Sequence, residues 1–182
     1  MKHILLVIFV FAGITCFAQS IERSDTDKFT GQKRVETDNV TIYGALIGAE
    51  LIKTTLRAVD NDYVLVFTGY SNNINIMNKD KGVGAVTKDE KLILLLDDNS
   101  TVTATSIGNQ NYHLVSSAQN IDQMYIYQYR IAKEDVAKLA GKSVKSIRLY
   151  FENSYRDLDV KDRNAEKFKS MCTVFNVEIN KN

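Results

Sequence analysis

The chain has 182 residues, and its 23 basic and 22 acidic side chains nearly balance, while proline and tryptophan are absent. This length fits one domain with a sizeable hydrophobic core. A nucleic-acid-binding chain usually carries a dense basic stripe and a high isoelectric point, so the even charge argues against a nucleic-acid partner.

Residues 1–18 predict a signal peptide. Lys2 gives a positive start, and the apolar stretch Ile4–Ile14 suits a secretory leader but is too short to span a membrane, which takes about 20 residues. Cleavage after Ala18 would place two small residues, Cys16 and Ala18, at positions −3 and −1. The junction CFAQS resembles leaders of Gram-negative bacteria. We therefore expect export to the periplasm or the medium.

A lipoprotein anchored through Cys16 is the alternative to free export. A lipoprotein leader normally has a small residue before the cysteine and leucine at −3, whereas Thr15 and Gly13 occupy these positions. Free export is therefore favoured. With the leader removed, Cys172 is the only cysteine, so no internal disulfide can form. The longest purely apolar run that remains is LILLL, so no transmembrane segment is predicted.

After the leader, residues 19–34 are polar and lack periodicity, which predicts a flexible arm before a single domain over residues 35–182. Strand patterns then follow in chain order. Residues 51–59 and 63–70, joined by the turn sequence DND, predict a hairpin. Further strands are predicted at 91–96, 101–107, 124–131, 143–151 and 155–160, and the run KLILLL at 91–96 is expected to be buried on both faces.

Two stretches predict helices. Residues 133–140 have acids in the first turn and stop at Gly141. The second helix starts near Asp162, and Ala165, Phe168 and Cys172 follow at helical spacing. Its end stays open, because residues 171–179 also alternate as a strand would. The pattern predicts an α+β fold, a mainly antiparallel sheet with about two helices on one face, and a β-sandwich is the alternative.

Common catalytic motifs are absent from the sequence, including the nucleophile elbow, the phosphate-binding loop and the zinc-protease and dinucleotide signatures. His113 and Cys172 are the only histidine and cysteine after the leader, and a zinc site would need at least two carboxylates besides them. Cys172 lies on the apolar stripe of its helix and is expected to pack in the core. We assign no catalytic residue, cofactor or metal ligand, and an enzyme is disfavoured.

Carboxylates are the remaining candidates for catalysis. They occur in three closely spaced pairs, Asp25 and Asp27, Asp97 and Asp98, and Asp157 and Asp159. A glycoside hydrolase needs two carboxyl groups on either side of a sugar, which spacing along the chain does not establish. Aspartates in such positions more often stabilise turns and caps.

The strongest positive feature is aromatic. Alternation along MYIYQYRI puts Tyr125, Tyr127 and Tyr129 on one face of a strand and Met124 and Ile126 on the other. In SIRLYF the apolar face leaves two side chains opposite, Arg148 and Tyr150. If the helices cover the Met/Ile face, these four tyrosines and the arginine form an exposed face for a partner, a composition typical of interfaces. The alternative is that the tyrosine rings are partly buried.

The sequence thus predicts a secreted or periplasmic, non-catalytic binding module for an unknown protein or small ligand. Two alternatives are a carboxylate-dependent hydrolase of glycans and a carrier of a small apolar ligand, which would require a cavity. No cofactor is expected, and neither the partner nor the oligomeric state follows from the residues.

Overall fold

The computed structural model describes residues 19–44, 50–71, 84–116 and 121–181, so the predicted signal peptide with Cys16 and Ala18 lies outside the described residues. The described part of the chain contains eleven strands and two helices. In chain order they are β1 Ile21–Thr26, β2 Lys33–Thr37, β3 Val40–Gly44, β4 Glu50–Val59, β5 Asp62–Ser71, β6 Lys91–Leu96, β7 Thr101–Ser106, β8 Tyr112–Ser116, β9 Ile121–Arg130, α1 Lys133–Gly141, β10 Val144–Phe151, β11 Ser154–Asp159 and α2 Asp162–Ile179.

The strands form one sheet in the order β1-β2-β4-β5-β9-β7-β6-β10-β11. All of its strand pairs are antiparallel. The two long strands β4 and β9 each pair with two shorter strands along one edge. The strand β3 lies beside β4 next to β2, and β8 lies beside β9 next to β7.

Both helices pack on the same face of the sheet, which we call the inner face. Val136 and Leu139 of α1 and Phe168 and Phe175 of α2 are buried in one core with the inner side chains of the strands. The helix α2 contacts β1 to β4 at one end of the sheet and β10 near the other, so the sheet curves around it. The predicted α+β class is confirmed, and the sandwich alternative is wrong because the described strands form a single sheet.

The tyrosine face of β9 is the inner face, opposite to the prediction. Tyr125, Tyr127 and Tyr129 are buried in the core, whereas Met124 and Ile126 face solvent. Alternation places side chains on two faces but does not say which face the helices cover. Here the tyrosine rings pack in the core, where Tyr125 stacks on Tyr127 and Tyr129 meets Phe67 edge-on. These three tyrosines therefore do not share an exposed face with the two residues of β10.

The predicted polar arm contains a strand. Residues 21–26 form β1, which pairs with β2, although five of its six side chains are exposed. Ile21 packs against the core, and Ser24 donates a hydrogen bond to Glu178 of α2 at 2.7 Å. Because β1 is held mostly through its backbone, it lacks the apolar alternation that identifies a half-buried strand.

The local predictions agree well with the structure elsewhere. The hairpin β4–β5 and both helices are confirmed, and α2 continues to Ile179, which settles its open end in favour of helix. The chain has no proline, and in the described turns Asp60, Asp89 and Asn99 adopt positive φ without being glycine. The run at β6 is buried on its inner face only, since Ile93 and Leu95 stay partly exposed. Neither described helix is long and apolar enough to cross a membrane.

Candidate functional site

The three buried tyrosines of β9 contribute to packing rather than to a surface. The Tyr127 hydroxyl donates a hydrogen bond to the backbone oxygen of Gly84 at 2.6 Å. The hydroxyls of Tyr125 and Tyr129 are buried and have no hydrogen-bond partner within the part of the chain that the structure describes. Burial raises the pKa of all three phenols far above the ordinary value, so they remain neutral in the folded protein.

A glycine opposite Tyr125 makes room for the ring of this tyrosine on the inner face. Gly69 pairs with Tyr125 across β5 and β9. A Cβ atom at position 69 would lie 1.8 Å from Cζ of the Tyr125 ring, so only glycine leaves room for the ring at this point. The sequence also indicates which face of β9 is buried. The Met/Ile face continues into Gln128 and Arg130 and is therefore partly polar, which favours solvent exposure of that face.

The other two predicted residues, Arg148 and Tyr150, lie on the opposite, outer face of the sheet. Together with Tyr155 and Asp157 of β11 they form what we call the hairpin surface. Arg148 donates two hydrogen bonds to Asp157, both at 2.6 Å, and its guanidinium lies 4.2 Å from the centre of the Tyr155 ring. The Tyr150 and Tyr155 rings are directly opposite each other, with centres 6.0 Å apart. These contacts hold the four side chains together on the outer face.

The electrostatics of the hairpin surface follow from these contacts. The hydrogen bonds from Arg148 hold the pKa of Asp157 below its usual value, so this carboxylate stays ionised. Both side chains are about half exposed, which means that the pair contributes little to stability and mainly fixes the guanidinium. Tyr155 was not predicted as part of this face. The predicted strands left three residues between them, whereas the observed turn has two, Glu152 and Asn153, and places Tyr155 opposite Tyr150.

A second group on the outer face is apolar. We call it the outer patch, and it consists of Tyr70, Ile107, Met124 and Ile126, with 38 to 52% of each residue exposed. Met124 lies directly opposite Tyr70, and Ile126 lies opposite Thr68 on the same neighbouring strand. The backbone of Ile107 donates to Gln128, which places Ile107 diagonally from Ile126. Large apolar side chains thus cluster on the solvent side of a central strand.

The outer patch and the hairpin surface belong to the same face. Between them lie β7 and β6, where Thr103 pairs with Ile93 and Ile93 pairs with Arg148. The outer face therefore runs from an apolar region on β5 and β9, over threonine and isoleucine side chains, to an aromatic and charged region on β10 and β11. No helix of the described chain covers it.

On the inner side, one ion pair spans the curved sheet. Arg156 of β11 donates to Glu50 of β4 through both of its terminal nitrogens, one of them at 2.6 Å from Oε1. The pair is largely buried and lies beside the Tyr43 ring and Tyr125. Since β4 and β11 are far apart in the strand order, this contact holds the curvature of the sheet.

Several of the other residues considered from the sequence have structural roles. Asp27 accepts hydrogen bonds from the backbones of Phe29 and Thr30, Asp98 bonds Ser100 and Lys142, and Asp25 pairs with Arg23. His113 is exposed on β8. Cys172 is fully buried, which confirms its predicted place in the core, and burial raises the pKa of its thiol.

The described residues also enclose an open cleft of about 640 Å³ at the point where β9 leaves the sheet to start α1. Its walls come from the β4–β5 turn, from β7 and from the first turn of α1. Charged side chains line it, including Asp62 and Arg130, which pair at 2.7 Å. Among the described residues, no three histidine, cysteine, aspartate or glutamate side chains come together as a metal site would require.

The comparisons with known proteins add no relative. No protein family, no curated protein and no solved structure matches this chain.

Proposed function

We propose that this chain is an exported, non-catalytic interaction module that binds a partner protein through the outer face of its sheet. The observation that carries the proposal is the outer patch, because Met124 and Ile126 expose apolar surface in the middle of the sheet beside Tyr70 and Ile107. A contiguous exposed apolar group of this kind usually marks an interaction site.

The composition of the outer face favours a protein partner. Protein interfaces have an apolar centre with a polar rim and are enriched in tyrosine, methionine and arginine. The outer patch supplies the apolar centre, and the hairpin surface supplies Arg148 with its two tyrosines. We therefore keep the partner-binding role predicted from the sequence but assign it to other side chains. Arg148 and Tyr150 remain in the proposed surface, and the outer patch replaces the buried tyrosines of β9.

The two alternative functions gain no support from the described residues. The cleft is lined by charged and polar side chains, which does not favour an apolar ligand. Among the aspartates considered for glycan hydrolysis, Asp157 is held by Arg148 and Asp98 by Lys142.

The test places a photo-crosslinking amino acid at position 126 in the protein expressed in its own host. Position 177 on α2 is the matched control, because Val177 and Ile126 are both exposed apolar residues, at 56 and 52%. We expect a discrete crosslinked protein from position 126 and none from 177, with mass spectrometry identifying the partner. A band at twice the mass of the chain would identify the partner as a second copy.

Substitutions complete the test. Ile126→Asp should reduce recovery of the crosslinked partner, trapped from position 68 directly opposite on β5, at least tenfold, whereas Val177→Asp should leave it unchanged. Both variants should keep the urea unfolding midpoint of the unmodified protein, since neither side chain is buried. No crosslink at 126, or equal losses in the two variants, would contradict the proposal.

A further inference from the structure

Gln19 becomes the first residue of the exported chain if the leader is removed after Ala18, as the sequence predicts. In the structure Gln19 is half-exposed and precedes β1, whose first paired residue is Ile21. Its α-nitrogen is then a free amine that lies outside the sheet and close to solvent.

A glutamine with a free α-amine can react with its own side chain. The α-nitrogen and Cδ of the side-chain amide close a ring of five atoms, and a reaction between two groups of one residue costs little entropy for bringing them together. An α-amino group has an ordinary pKa of about 7.7–8.0, so a fraction of it is uncharged and nucleophilic near neutral pH. Position 19 therefore carries both reacting groups once the leader is gone.

We propose, on the basis of the export proposed above, that the mature chain carries an N-terminal pyroglutamate formed from Gln19. The α-nitrogen attacks Cδ of the side-chain amide, the bond between these two atoms forms, and the bond from Cδ to Nε2 breaks. One proton moves from the α-nitrogen to Nε2, which leaves as ammonia. The step consumes no oxidant, reductant or second substrate.

The contacts at the start of β1 are compatible with this ring. The backbone oxygen of Ser20 accepts a hydrogen bond from the N–H of Asp38 at 3.1 Å, and the Ser20 hydroxyl donates to the Asp38 carboxylate. The strand pairing then begins with Ile21 opposite Thr37. All of these contacts lie beyond Gln19, so ring closure changes only atoms that precede them.

The modification protects the fastening of an edge strand. Within the described residues β1 pairs only with β2, and five of its six side chains are exposed. Chain ends of this kind are preferred sites of proteolysis. An aminopeptidase needs a free α-amine and would remove Gln19 and then Ser20, together with the two contacts to Asp38. The lactam has no free amine, and it also removes the positive charge of the terminus.

The test measures the intact mass of the protein made with its leader in its own host and purified rapidly in the cold. We expect the mass of residues 19–182 less one ammonia, and no N-terminal sequence until pyroglutamyl peptidase removes the lactam. Gln19→Asn is the matched control, because asparagine would have to close a strained four-membered ring. This variant should keep its full linear mass, give its sequence directly, and lose its first residue to a broad-specificity aminopeptidase that leaves the unmodified protein intact.

Two results would overturn the proposal and are distinguished by the same spectrum. The linear mass of residues 19–182 would show that the leader is cut as predicted but that the amine of Gln19 stays free. A chain that starts at another residue, including a lipidated Cys16, would show that no free amine arises at Gln19. Ile126→Asp, which tests the outer patch, should be cyclised as fully as the unmodified protein, so a failure of partner binding and a failure of ring formation are recorded separately.

Discussion

At the scale of single residues, the two arginines of the C-terminal hairpin have different roles although both hold a carboxylate through two nitrogens. Arg156 and Glu50 are largely buried and join strands from different halves of the sheet, whereas Arg148 and Asp157 are about half exposed and lie on neighbouring strands. Removing one member of a buried pair leaves a charge without a partner in a poorly solvated place, which costs far more than breaking an exposed pair.

We therefore predict that Arg156→Met lowers the free energy of unfolding by roughly 2–3 kcal/mol. The same change at Arg148 is the control and should lower it by less than about 1 kcal/mol. Urea unfolding followed by circular dichroism measures both. Equal losses in the two variants would show that the Glu50–Arg156 pair does not hold the sheet curvature.

The tyrosine hydroxyls give a second comparison at this scale. Tyr125→Phe removes a buried hydroxyl without a described partner, so the free energy of unfolding should stay the same or rise by about 1 kcal/mol. Tyr127→Phe removes the hydrogen bond to Gly84 and should lower it by about 1 kcal/mol. Thermal unfolding of the two variants side by side checks the sign of each change. A loss in Tyr125→Phe equal to that in Tyr127→Phe would indicate a partner for the Tyr125 hydroxyl.

At the scale of elements, the packing of β5 against β9 depends on Gly69. We predict that Gly69→Ala lowers the free energy of unfolding by about 3 kcal/mol, because the new methyl group overlaps the Tyr125 ring, which the core holds in place. Gly108→Ala is the matched control, since nothing lies within 4 Å of its added Cβ, and its effect should be within about 0.5 kcal/mol. Urea midpoints of the two variants measure the difference. A tolerated Gly69→Ala would mean that the ring can move away.

The elements also show how far local patterns reach. The helix α1 and the hairpin β4–β5 were predictable because their apolar spacing, end residues and turn residues all lie within a few positions of one another. The strand β1 was not, since its pairing with β2 and its contact with α2 leave no trace in its own side-chain pattern. The side of β9 that faces the helices was predicted wrongly, because both of its faces carry large apolar groups.

At the scale of the whole molecule, the buried phenols make stability depend on alkaline pH. The pKa values of Tyr125, Tyr127 and Tyr129 are raised in the folded state by burial. In the unfolded chain these groups ionise near pH 10. Their contribution to stability is therefore complete below about pH 10 and is lost as the pH rises beyond that value toward the folded pKa.

We predict that the urea midpoint falls steeply between pH 10 and 11.5. Each tyrosine that ionises only in the unfolded chain lowers the free energy of unfolding by about 1.4 kcal/mol per pH unit above its unfolded pKa. The double variant Tyr125→Phe with Tyr129→Phe should lose two of these contributions and show a shallower fall. An identical pH dependence in the double variant would exclude the buried tyrosines as its cause.

The sequence by itself determined the antiparallel α+β class, the position of most strands and of both helices, and the burial of Cys172. These properties depend on short-range periodicity and on residue chemistry that acts within one element. Only the tertiary structure decided that the tyrosines lie inside, that Glu50 meets Arg156 across the curved sheet, and that Thr103 borders a cleft. Each of these depends on which distant elements become neighbours, and that is set by how helices and strands share one core rather than by any local pattern.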